Sequence, residues 1–336
     1  MKKYEINTWG ELYKNSTNAA FKAPNDVDII YSQNGFKVIR LPNVTFLYKL
    51  RLGLIWRILY ALFILFRLKK DSEVHIQVTG SRITRYLIKF IRFRAKKIVL
   101  LIHDVNFLRN NDTNKTGEEI DLYNSADEII VHTPSMANKL KQQGVHVPMK
   151  ILMIFDYLTQ KDKQMYAEPD IHSIVFAGNI HKSPFIQLLI EESKEWHLNF
   201  YCYGAGKFSD IDEYTHIHYE GIFSPDNIFL IKGAWGLVWD GNDLFTCNSY
   251  LRYNAPHKLS LYLAAEKPVI IWRRSAMYDF VNDHKLGIAI DSLHEIQDCI
   301  FQITEDQYSE YVRNVRIVSD KLKTGGFLSN QLSAFF

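Results

Sequence analysis

The stretch YLRYNAPHKLSLYLAAEKPVIIW, residues 250–272, predicts a polar loop, a helix and a buried strand in succession. Pro256 suits the first turn of a helix, because its missing N–H group would lack an intrahelical partner there in any case. Leu259, Tyr262 and Leu263 then recur at helical spacing, and the apolar run VIIW closes the stretch as a strand. A loop, helix and strand in this order are typical of a parallel α/β fold.

Polar residues gather at the start of this predicted helix, namely Asn254, His257, Lys258 and Ser260. The free backbone N–H groups and the dipole of a helix N-terminus favour an anion, and a lysine with a hydroxyl there makes a phosphate site. We therefore interpret the stretch as the diphosphate clamp of a sugar-nucleotide enzyme. The alternative is that Lys258 and Ser260 are solvated residues of an ordinary first turn.

The composition indicates a globular protein of two domains. The chain has 336 residues, of which 47% are hydrophobic and 23% charged, and this excludes a disordered protein. A formal net charge of +3 is too small to require a nucleic-acid partner. Cys202, Cys247 and Cys299 are few and scattered, so they indicate neither a disulfide framework nor a zinc cluster. A reducing, cytoplasmic location is the expectation.

Apolar runs followed by polar loops predict two successive α/β halves. Strands of the first half are predicted at residues 3–8, 36–41, 73–78, 97–102, 128–132 and 151–155. Strands of the second half are predicted at residues 173–176, 198–203, 217–219, 235–239, 269–272 and 286–290. The polar segment 156–168 lacks periodicity and is interpreted as the linker. The pattern predicts two doubly wound halves facing a cleft.

Candidate catalytic residues follow the apolar strand KIVLLI in the first half. His103 and Asp104 come directly after it, and carboxyl ends of parallel strands carry functional groups in open α/β sheets. The alternative is that Asp104 caps a turn and His103 is packed.

Candidate ligand-binding residues follow three strands of the second half. Asn179, Lys182 and Ser183 lie in the loop after the first strand, Tyr203 ends the next, and Asp240 follows the fourth. Each can equally be an ordinary loop residue. The sequence contains no P-loop, no GxGxxG, no nucleophile elbow and no metal-ligand pairs. The missing acidic DxD-like pair argues mildly against a diphosphate held by a metal.

Two segments of the first half raise the question of membrane contact. Residues 50–68 are apolar but interrupted by Arg51, Arg57 and Arg67, so they are too short to span a bilayer and are interpreted as a buried or interface helix. Residues 81–97 carry seven basic side chains and no acidic one, and their apolar residues recur at roughly helical spacing. We interpret them as the solvated face of a packed helix, with peripheral contact to anionic lipid as the alternative.

Motifs in a fixed order along nearly the whole chain carry a family resemblance. They are NSTNAAFKAPNDV (15–27), HDVNFLR (103–109), SADEIIVHTPSM (125–136), FAGNIHKSPF (176–185), YCYGAG (201–206), GIFSPDNI (221–228), GLVWDG (236–241) and NAPHKLSLYLAAEKPVI (254–270). With these the chain resembles the glucosyltransferase 3-like family of GT-B glycosyltransferases, which extend glycans on serine-rich repeat adhesins. It is also similar to bacterial β-1,6-galactofuranosyltransferases.

The resemblance implies a GT-B fold whose C-terminal helix returns to the first domain. The implied boundaries are an acceptor-side domain at 1–156, a nucleotide-sugar-binding domain at 157–320 and the returning helix at 321–336. It also implies a UDP-sugar donor, no cofactor, no required metal and a homo-oligomer, either a dimer or a tetramer.

Roles for individual residues are likewise implied by the resemblance. Lys258 and Ser260 would bind the diphosphate. The residues expected around the rest of the donor are Thr17, Asn179, Lys182, Ser183, Tyr203, Asn254 and His257.

The implied reaction moves a hexose, which is glucose, N-acetylglucosamine or galactofuranose, to a sugar acceptor such as N-acetylglucosamine on a serine-rich repeat glycoprotein. Lys258 would stabilise the leaving group, and Asp104 would be the base, with His103 as alternate and Asp240 as second choice. The alternatives are transfer to a lipid-linked polysaccharide intermediate and a non-catalytic GT-B-like binding subunit.

Overall fold

A computed structural model describes residues 1–8, 21–40, 53–78, 82–112, 116–159, 170–206, 214–247 and 249–333. The chain forms two compact units. Among the described residues, the first unit contains the chain up to Met153 and the last helix from Phe327 onward, and the second runs from Ile154 to Gly326. Each unit is a parallel sheet with helices, so the predicted class of two Rossmann-like halves is confirmed.

The described strands of the first unit are β1 (Lys3–Asn7), β2 (Lys37–Arg40), β3 (Ser72–Val78), β4 (Ala95–Ile102), β5 (Glu128–Val131) and β6 (Met149–Ile151). They pair in parallel in the order β2-β1-β3-β4-β5-β6. The described helices are α1 (Lys22–Gln33), α2 (Gly53–Arg67), α3 (Arg82–Ile91), α4 (Asn106–Arg109), α5 (Thr116–Asn124) and α6 (Pro134–Gln142).

The described strands of the second unit are β7 (Ser173–Ala177), β8 (Asn199–Tyr203), β9 (Ile217–Tyr219), β10 (Trp235–Val238), β11 (Val269–Trp272) and β12 (Gly287–Ile290). They pair in parallel in the order β12-β11-β10-β7-β8-β9. The described helices are α7 (Phe185–Glu192), α8 (His257–Ala264), α9 (Tyr278–Asp283), α10 (Ile296–Phe301) and α11 (Glu305–Lys323).

The strand order of the second sheet reverses beside β7. The chain runs outward from β7 through β8 to β9, and then returns to β10 on the other side of β7. Both β7 and β10 are buried along their whole length, as expected for central strands covered by helices on both faces. Ligands of open α/β sheets bind outside the carboxyl ends of the strands at such a switch point, so the loops after β7 and β10 are the first place to look for a site.

The stretch at 250–272 forms the predicted helix and strand, α8 and β11. Pro256 is extended and precedes the first helical residue, as proline does in an N-terminal position. The helix ends at Ala264, and Glu266 then takes a positive φ of 58°. Tyr262 is fully buried, and its hydroxyl oxygen accepts a hydrogen bond of 2.7 Å from the backbone N–H of Ala177. This bond fixes α8 to the end of β7.

The last helix, α12 (Gly326–Ser333), belongs to the first unit. The side-chain amide of Asn34 donates to the hydroxyl of Ser329 at 2.9 Å, and Lys150 Nζ donates to the carbonyl of Gln331 at 3.4 Å. Leu328 and Leu332 are buried between these polar contacts. The return of the chain to its first half, predicted as part of the fold class, is confirmed.

Several predicted boundaries are wrong. The strand expected at 151–155 lies at Met149–Ile151, and the basic helix expected over 81–97 ends at Ile91 because β4 begins at Ala95. The predicted polar linker begins within the second unit, since Tyr157 is fully buried there. Residues 160–168 of the predicted linker lie outside the described residues.

Candidate functional site

Lys258 lies across the switch point of the second sheet. Its ammonium Nζ donates to the carbonyl oxygen of Trp239, the residue after β10, at 3.2 Å. The same atom stands 4.3 Å from the centre of the Phe176 ring on β7, which is a cation–π distance. One side chain from the start of α8 therefore touches the ends of both strands at which the strand order reverses.

The environment of Lys258 favours a bound anion. Burial lowers the pKa of its ammonium from the usual 10.5, and the attraction of Asp240 and then of Cys247 works against this shift. A carbonyl dipole and a π face only partly replace the water that the ammonium has lost. An anion placed beside Lys258 would restore that lost solvation and would also meet the N-terminal end of the helix dipole.

Two buried polar atoms near the start of α8 add to this picture. Ser260 is 1% exposed, and neither its Oγ nor the buried Oδ1 of Asn254 has a hydrogen-bond partner among the residues that the structure describes. Buried polar atoms in proteins are nearly always paired, so such atoms mark a place for a polar ligand.

His257, which is predicted to lie near the donor, packs its ring against Tyr157 with 5.2 Å between the ring centres. The Tyr157 hydroxyl donates to the carbonyl of Pro225 at 2.9 Å.

Two glycines let the loops after β7 and β8 come together under Lys258. The N–H of Gly178 donates to the carbonyl of Tyr203 at 2.9 Å. A Cβ on Gly204, which has a φ of +136°, would lie 1.6 Å from the carbonyl oxygen of Gly178. A Cβ on Gly178 would lie 2.9 Å from Cε of Lys258. Glycine is therefore required at position 204 for the backbone approach, whereas a side chain at position 178 would push against Lys258 and Phe176.

The loop after β7 uses its predicted site residues mainly to form a turn. Asn179 Oδ1 accepts from the backbone N–H of Lys182 at 3.2 Å, and the Ser183 hydroxyl donates to the carbonyl of Asn179 at 3.0 Å. Ser183 is buried, whereas the side chains of Asn179 and Lys182 are exposed. Lys182 is therefore the residue of this loop best placed to reach a ligand from solvent.

Tyr203, at the end of β8, contacts the segment that connects β9 to β10. Its hydroxyl oxygen accepts from the backbone N–H of Lys232 at 3.0 Å, and its ring meets Phe223 edge to face at 5.5 Å. Burial raises the pKa of the Tyr203 hydroxyl, so it stays a neutral hydrogen-bonding group at physiological pH. Tyr203 and Lys258 are thus linked through the Gly178 backbone rather than by direct contact.

In the first unit, His103 is held by a buried glutamine that the sequence did not single out. Gln77 is fully buried, and its amide nitrogen donates to Glu5 Oε1 at 2.9 Å and to Asp28 Oδ1 at 2.7 Å. Its amide oxygen therefore points to His103 Nε2, 2.7 Å away, and must accept a hydrogen bond from the N–H at that nitrogen. A polar residue within an otherwise buried strand was the signal that could have identified Gln77.

Asp104 has a different partner. Its Oδ2 accepts from Arg109 Nη1 at 2.6 Å, and the carboxylate remains one-third exposed. Asp104 does not cap α4, since the residue before that helix is Val105 and makes no side-chain cap. The two candidate bases follow one strand but have separate partners.

Two buried carboxyl groups lie behind His103. Desolvation raises the pKa of Glu5 well above its usual value, and the charge of Asp28 adds to this effect. Burial also raises the pKa of Asp28, against the opposing effects of Arg40 and Asn7. Asp28 Oδ1 accepts a hydrogen bond from Asn7 Nδ2 at 2.8 Å, and the carboxylate forms an ion pair with Arg40.

Thr17, expected to reach the donor, lies outside the described residues, and so does the loop that carries it. Within the ranges that the structure describes, no group of three His, Cys, Asp or Glu side chains could hold a metal ion. None of the described helices is long and apolar enough to cross a bilayer.

Family models match both halves of the chain. The N-terminal domain model of the glucosyltransferase 3-like family matches residues 6–154, and its C-terminal domain model matches residues 174–335. The β-1,6-galactofuranosyltransferase WbbI of Escherichia coli (strain K12) is 29% identical over 94% of this chain and 93% of its own length. Glucosyltransferase 3 of Streptococcus gordonii is 28% identical over 74% of this chain and 73% of its own length.

Solved structures resemble the fold at low sequence identity. Anabaena HepE, crystallised with UDP, matches with a TM-score of 0.64 and 11% identity over 99% of this chain and 100% of its own. TarM matches with a TM-score of 0.56 and 19% identity over 82% of this chain and 57% of its own.

Proposed function

Because the chain belongs to the glucosyltransferase 3-like family of GT-B glycosyltransferases, we propose that it transfers a hexose from a UDP-sugar to a hydroxyl of a sugar acceptor. The observation that carries this proposal is Lys258, which lies across the switch point of the second sheet at the start of α8. The same helix carries the buried hydroxyl of Ser260. This arrangement suits the diphosphate of a nucleotide-sugar.

Lys258 and the start of α8 would stabilise the leaving nucleotide. Breaking the glycosidic bond of the donor places a further negative charge on the β-phosphate, so a fixed cation there favours the transition state over the ground state. Ser260 would donate its otherwise unpaired hydroxyl to a phosphate oxygen. The positive charge comes from the chain itself, so we propose that turnover needs neither a metal nor a cofactor.

The choice of UDP is supported by the structure of Anabaena HepE, which was solved with UDP and has the same fold. Asn254, His257, Lys182, Tyr203 and Asn179 would line the rest of the donor site, with Thr17 reaching it from the N-terminal loop. Ser183 would act by shaping the turn after β7. Asp240 would tune Lys258 through its charge, which favours the protonated ammonium.

Two kinds of sugar transfer fit the family. The first is transfer of glucose or N-acetylglucosamine to N-acetylglucosamine on a serine-rich repeat glycoprotein, following the glucosyltransferase 3 relatives. The second is galactofuranosyl transfer to a lipid-linked polysaccharide intermediate. It is favoured by the galactofuranosyltransferase relative, which aligns with 94% of this chain, against 74% for the glucosyltransferase 3 of Streptococcus gordonii.

A donor screen tests the proposed function. Release of UDP would be measured from UDP-glucose, UDP-N-acetylglucosamine and UDP-galactofuranose, each with and without a peptide bearing N-acetylglucosamine, and each with and without EDTA. We expect one donor to give acceptor-dependent UDP release that EDTA leaves unchanged. If none of the donors is turned over but UDP binds, the chain is a binding subunit. If EDTA abolishes release, metal independence is wrong.

We predict that Asp104 is the base that deprotonates the acceptor hydroxyl. Asp104→Asn keeps the size of the side chain and a hydrogen-bond acceptor for Arg109, but it removes the carboxylate. Loss of a general base commonly costs about 10²- to 10⁴-fold in rate, so kcat should fall by that range. The measurement is single-turnover transfer, with UDP affinity determined in parallel by calorimetry.

His103→Gln is the matched comparison, because it tests the alternate base on the same strand end. We expect it to lower kcat less than Asp104→Asn does, since His103 Nε2 is already committed to Gln77. Near-normal transfer by Asp104→Asn, with UDP still bound, would eliminate Asp104 and leave His103 as the base.

A further inference from the structure

An apolar stripe runs along the exposed side of α2 in the first unit. Its members recur at positions i, i+3, i+4 and i+7, which is one face of a helix, and they are Leu59, Leu62, Phe63 and Phe66. The opposite face is buried in the unit through Tyr60, Ile64 and Leu68. Phe66 is 81% exposed, so the stripe is not part of the core of this unit.

A second exposed apolar group lies beside the stripe. Helices α2 and α3 pack against each other. They connect β2 to β3 and β3 to β4, so both crossovers run in the same direction along the sheet. Right-handed crossovers in one direction place their helices on the same face of a sheet. Phe90 and Phe93 at the end of α3 are exposed, Phe93 by 78%. We call the stripe together with Phe90 and Phe93 the docking surface.

The two segments that carry the docking surface also carry exposed basic side chains. The exposed ones are Arg67, Lys69, Lys70, Lys89, Arg92, Arg94 and Lys96. Among the described neighbours, the acidic groups beside them are Asp71, which is exposed, and Asp127, which pairs with Arg92 at 2.6 Å. Arg67 lies over the Phe63 ring at 4.5 Å, so its charge is held at the edge of the apolar stripe. Positive charge therefore exceeds negative charge around the exposed phenylalanines.

A recess of about 630 Å³ opens next to the stripe. Its apolar lining includes Phe63, Val38 and Ile39, and its polar lining includes Arg67, Arg40, Asp28, Ser32 and Gln33. Of its two guanidinium groups, that of Arg40 is paired with Asp28. The recess is therefore of mixed polarity, and Arg67 gives it an excess of positive charge, which suits an anionic headgroup.

We propose that the docking surface binds an anionic phospholipid bilayer and holds the enzyme at a membrane face. Apolar side chains on one face of a helix, bordered by lysine and arginine, are the pattern of helices that lie in the bilayer interface. Each basic residue near an anionic surface adds to the attraction, and long basic side chains reach the headgroups while their stems stay apolar. A second copy of this chain fits less well, because it would bring the same excess of positive charge to the contact.

Vesicle flotation with the full-length protein tests this proposal. We expect the protein to float with vesicles of phosphatidylglycerol and phosphatidylcholine and not with phosphatidylcholine alone, and high salt should weaken binding. The double variant Phe66→Ser/Phe93→Ser should reduce the bound fraction at least about tenfold, because it removes the two most exposed apolar side chains. Turnover with a water-soluble acceptor should be unchanged in this variant.

Ile317→Ser is the matched control, since Ile317 is 72% exposed on α11 of the second unit and stands outside the docking surface. It should float as the wild type does. Absence of flotation with anionic vesicles would overturn the proposal, and equal binding to neutral vesicles would overturn its electrostatic part. A fall in the solution mass of Phe66→Ser/Phe93→Ser, with no vesicle binding by the wild type, would identify a subunit interface instead.

Discussion

The variant Lys258→Met should lose about 10²- to 10³-fold in kcat, which is the usual cost of removing one group that stabilises developing negative charge. Methionine fills nearly the same volume and keeps the contact with Phe176, but it brings no charge to the switch point of the second sheet. The measurement is UDP release at saturating donor. Turnover close to wild type would show that the leaving group is stabilised elsewhere.

Stability should change in the opposite direction from activity. Because burial lowers the pKa of Lys258, holding its ammonium in the folded state costs free energy, and methionine removes that cost. We therefore expect Lys258→Met to unfold at the same temperature as the wild type or a higher one. A merely structural lysine would lose stability and activity together, so the pair of measurements separates the two roles.

The difference in the free energy of unfolding between the wild type and Lys258→Met depends on pH, and the sign of this dependence can be derived. Between the lowered pKa of Lys258 in the folded state and its usual 10.5, the unfolded chain binds more protons than the folded one. The free energy of unfolding of the wild type must then rise with pH across that window, relative to the variant.

Lys182→Met is the comparison for activity, since that lysine is exposed in the adjacent loop. We expect it to lose less than about tenfold.

Much of the second unit could be predicted from local patterns. Helix α8 and strand β11 follow from the proline, the helical spacing and the apolar run at 250–272. The start of α8 could be recognised as an anion site because helix ends have that property in any fold. Phe176 under Lys258 could not be predicted, since its contact depends on β7 lying next to β10 in the sheet. Strand order depends on residues far apart in the sequence, so the local spacing of apolar residues does not predict it.

In the first unit, the sequence pattern predicts a strand but not the burial and the partners of its side chains. Alternating residues in β3 are typical of a strand with one wet face, yet all seven of its residues are buried. Two of its polar residues have partners far away in sequence, namely Tyr31 for His75 at 2.9 Å and Glu5 for Gln77 at 2.9 Å. The period-two polarity therefore predicts the strand, but it does not predict that both faces of the strand are buried. The position of His103 at a strand end was predictable, whereas its attachment to Gln77 was not.

Gly204→Ala should be the most destabilising substitution near the candidate site. Its Cβ would lie 1.6 Å from the carbonyl oxygen of Gly178, and its φ of +136° is one that residues with a side chain rarely adopt. The loop must move apart from its neighbour, so we expect a loss of about 4 kcal/mol or more in the free energy of unfolding. Urea unfolding followed by tryptophan fluorescence reports on it, because Trp235 and Trp239 lie in the core of this unit.

Gly221→Ala separates the backbone effect from the collision. Gly221 also has a positive φ, of +76°, but a Cβ there would have no atom within 4 Å. It should cost only the about 1–2 kcal/mol of the left-handed conformation. If Gly204→Ala costs no more than Gly221→Ala, the close approach to Gly178 is not needed. If it costs more, and donor binding by the remaining folded protein also weakens, the glycine contact stabilises the fold and positions Lys258 above it.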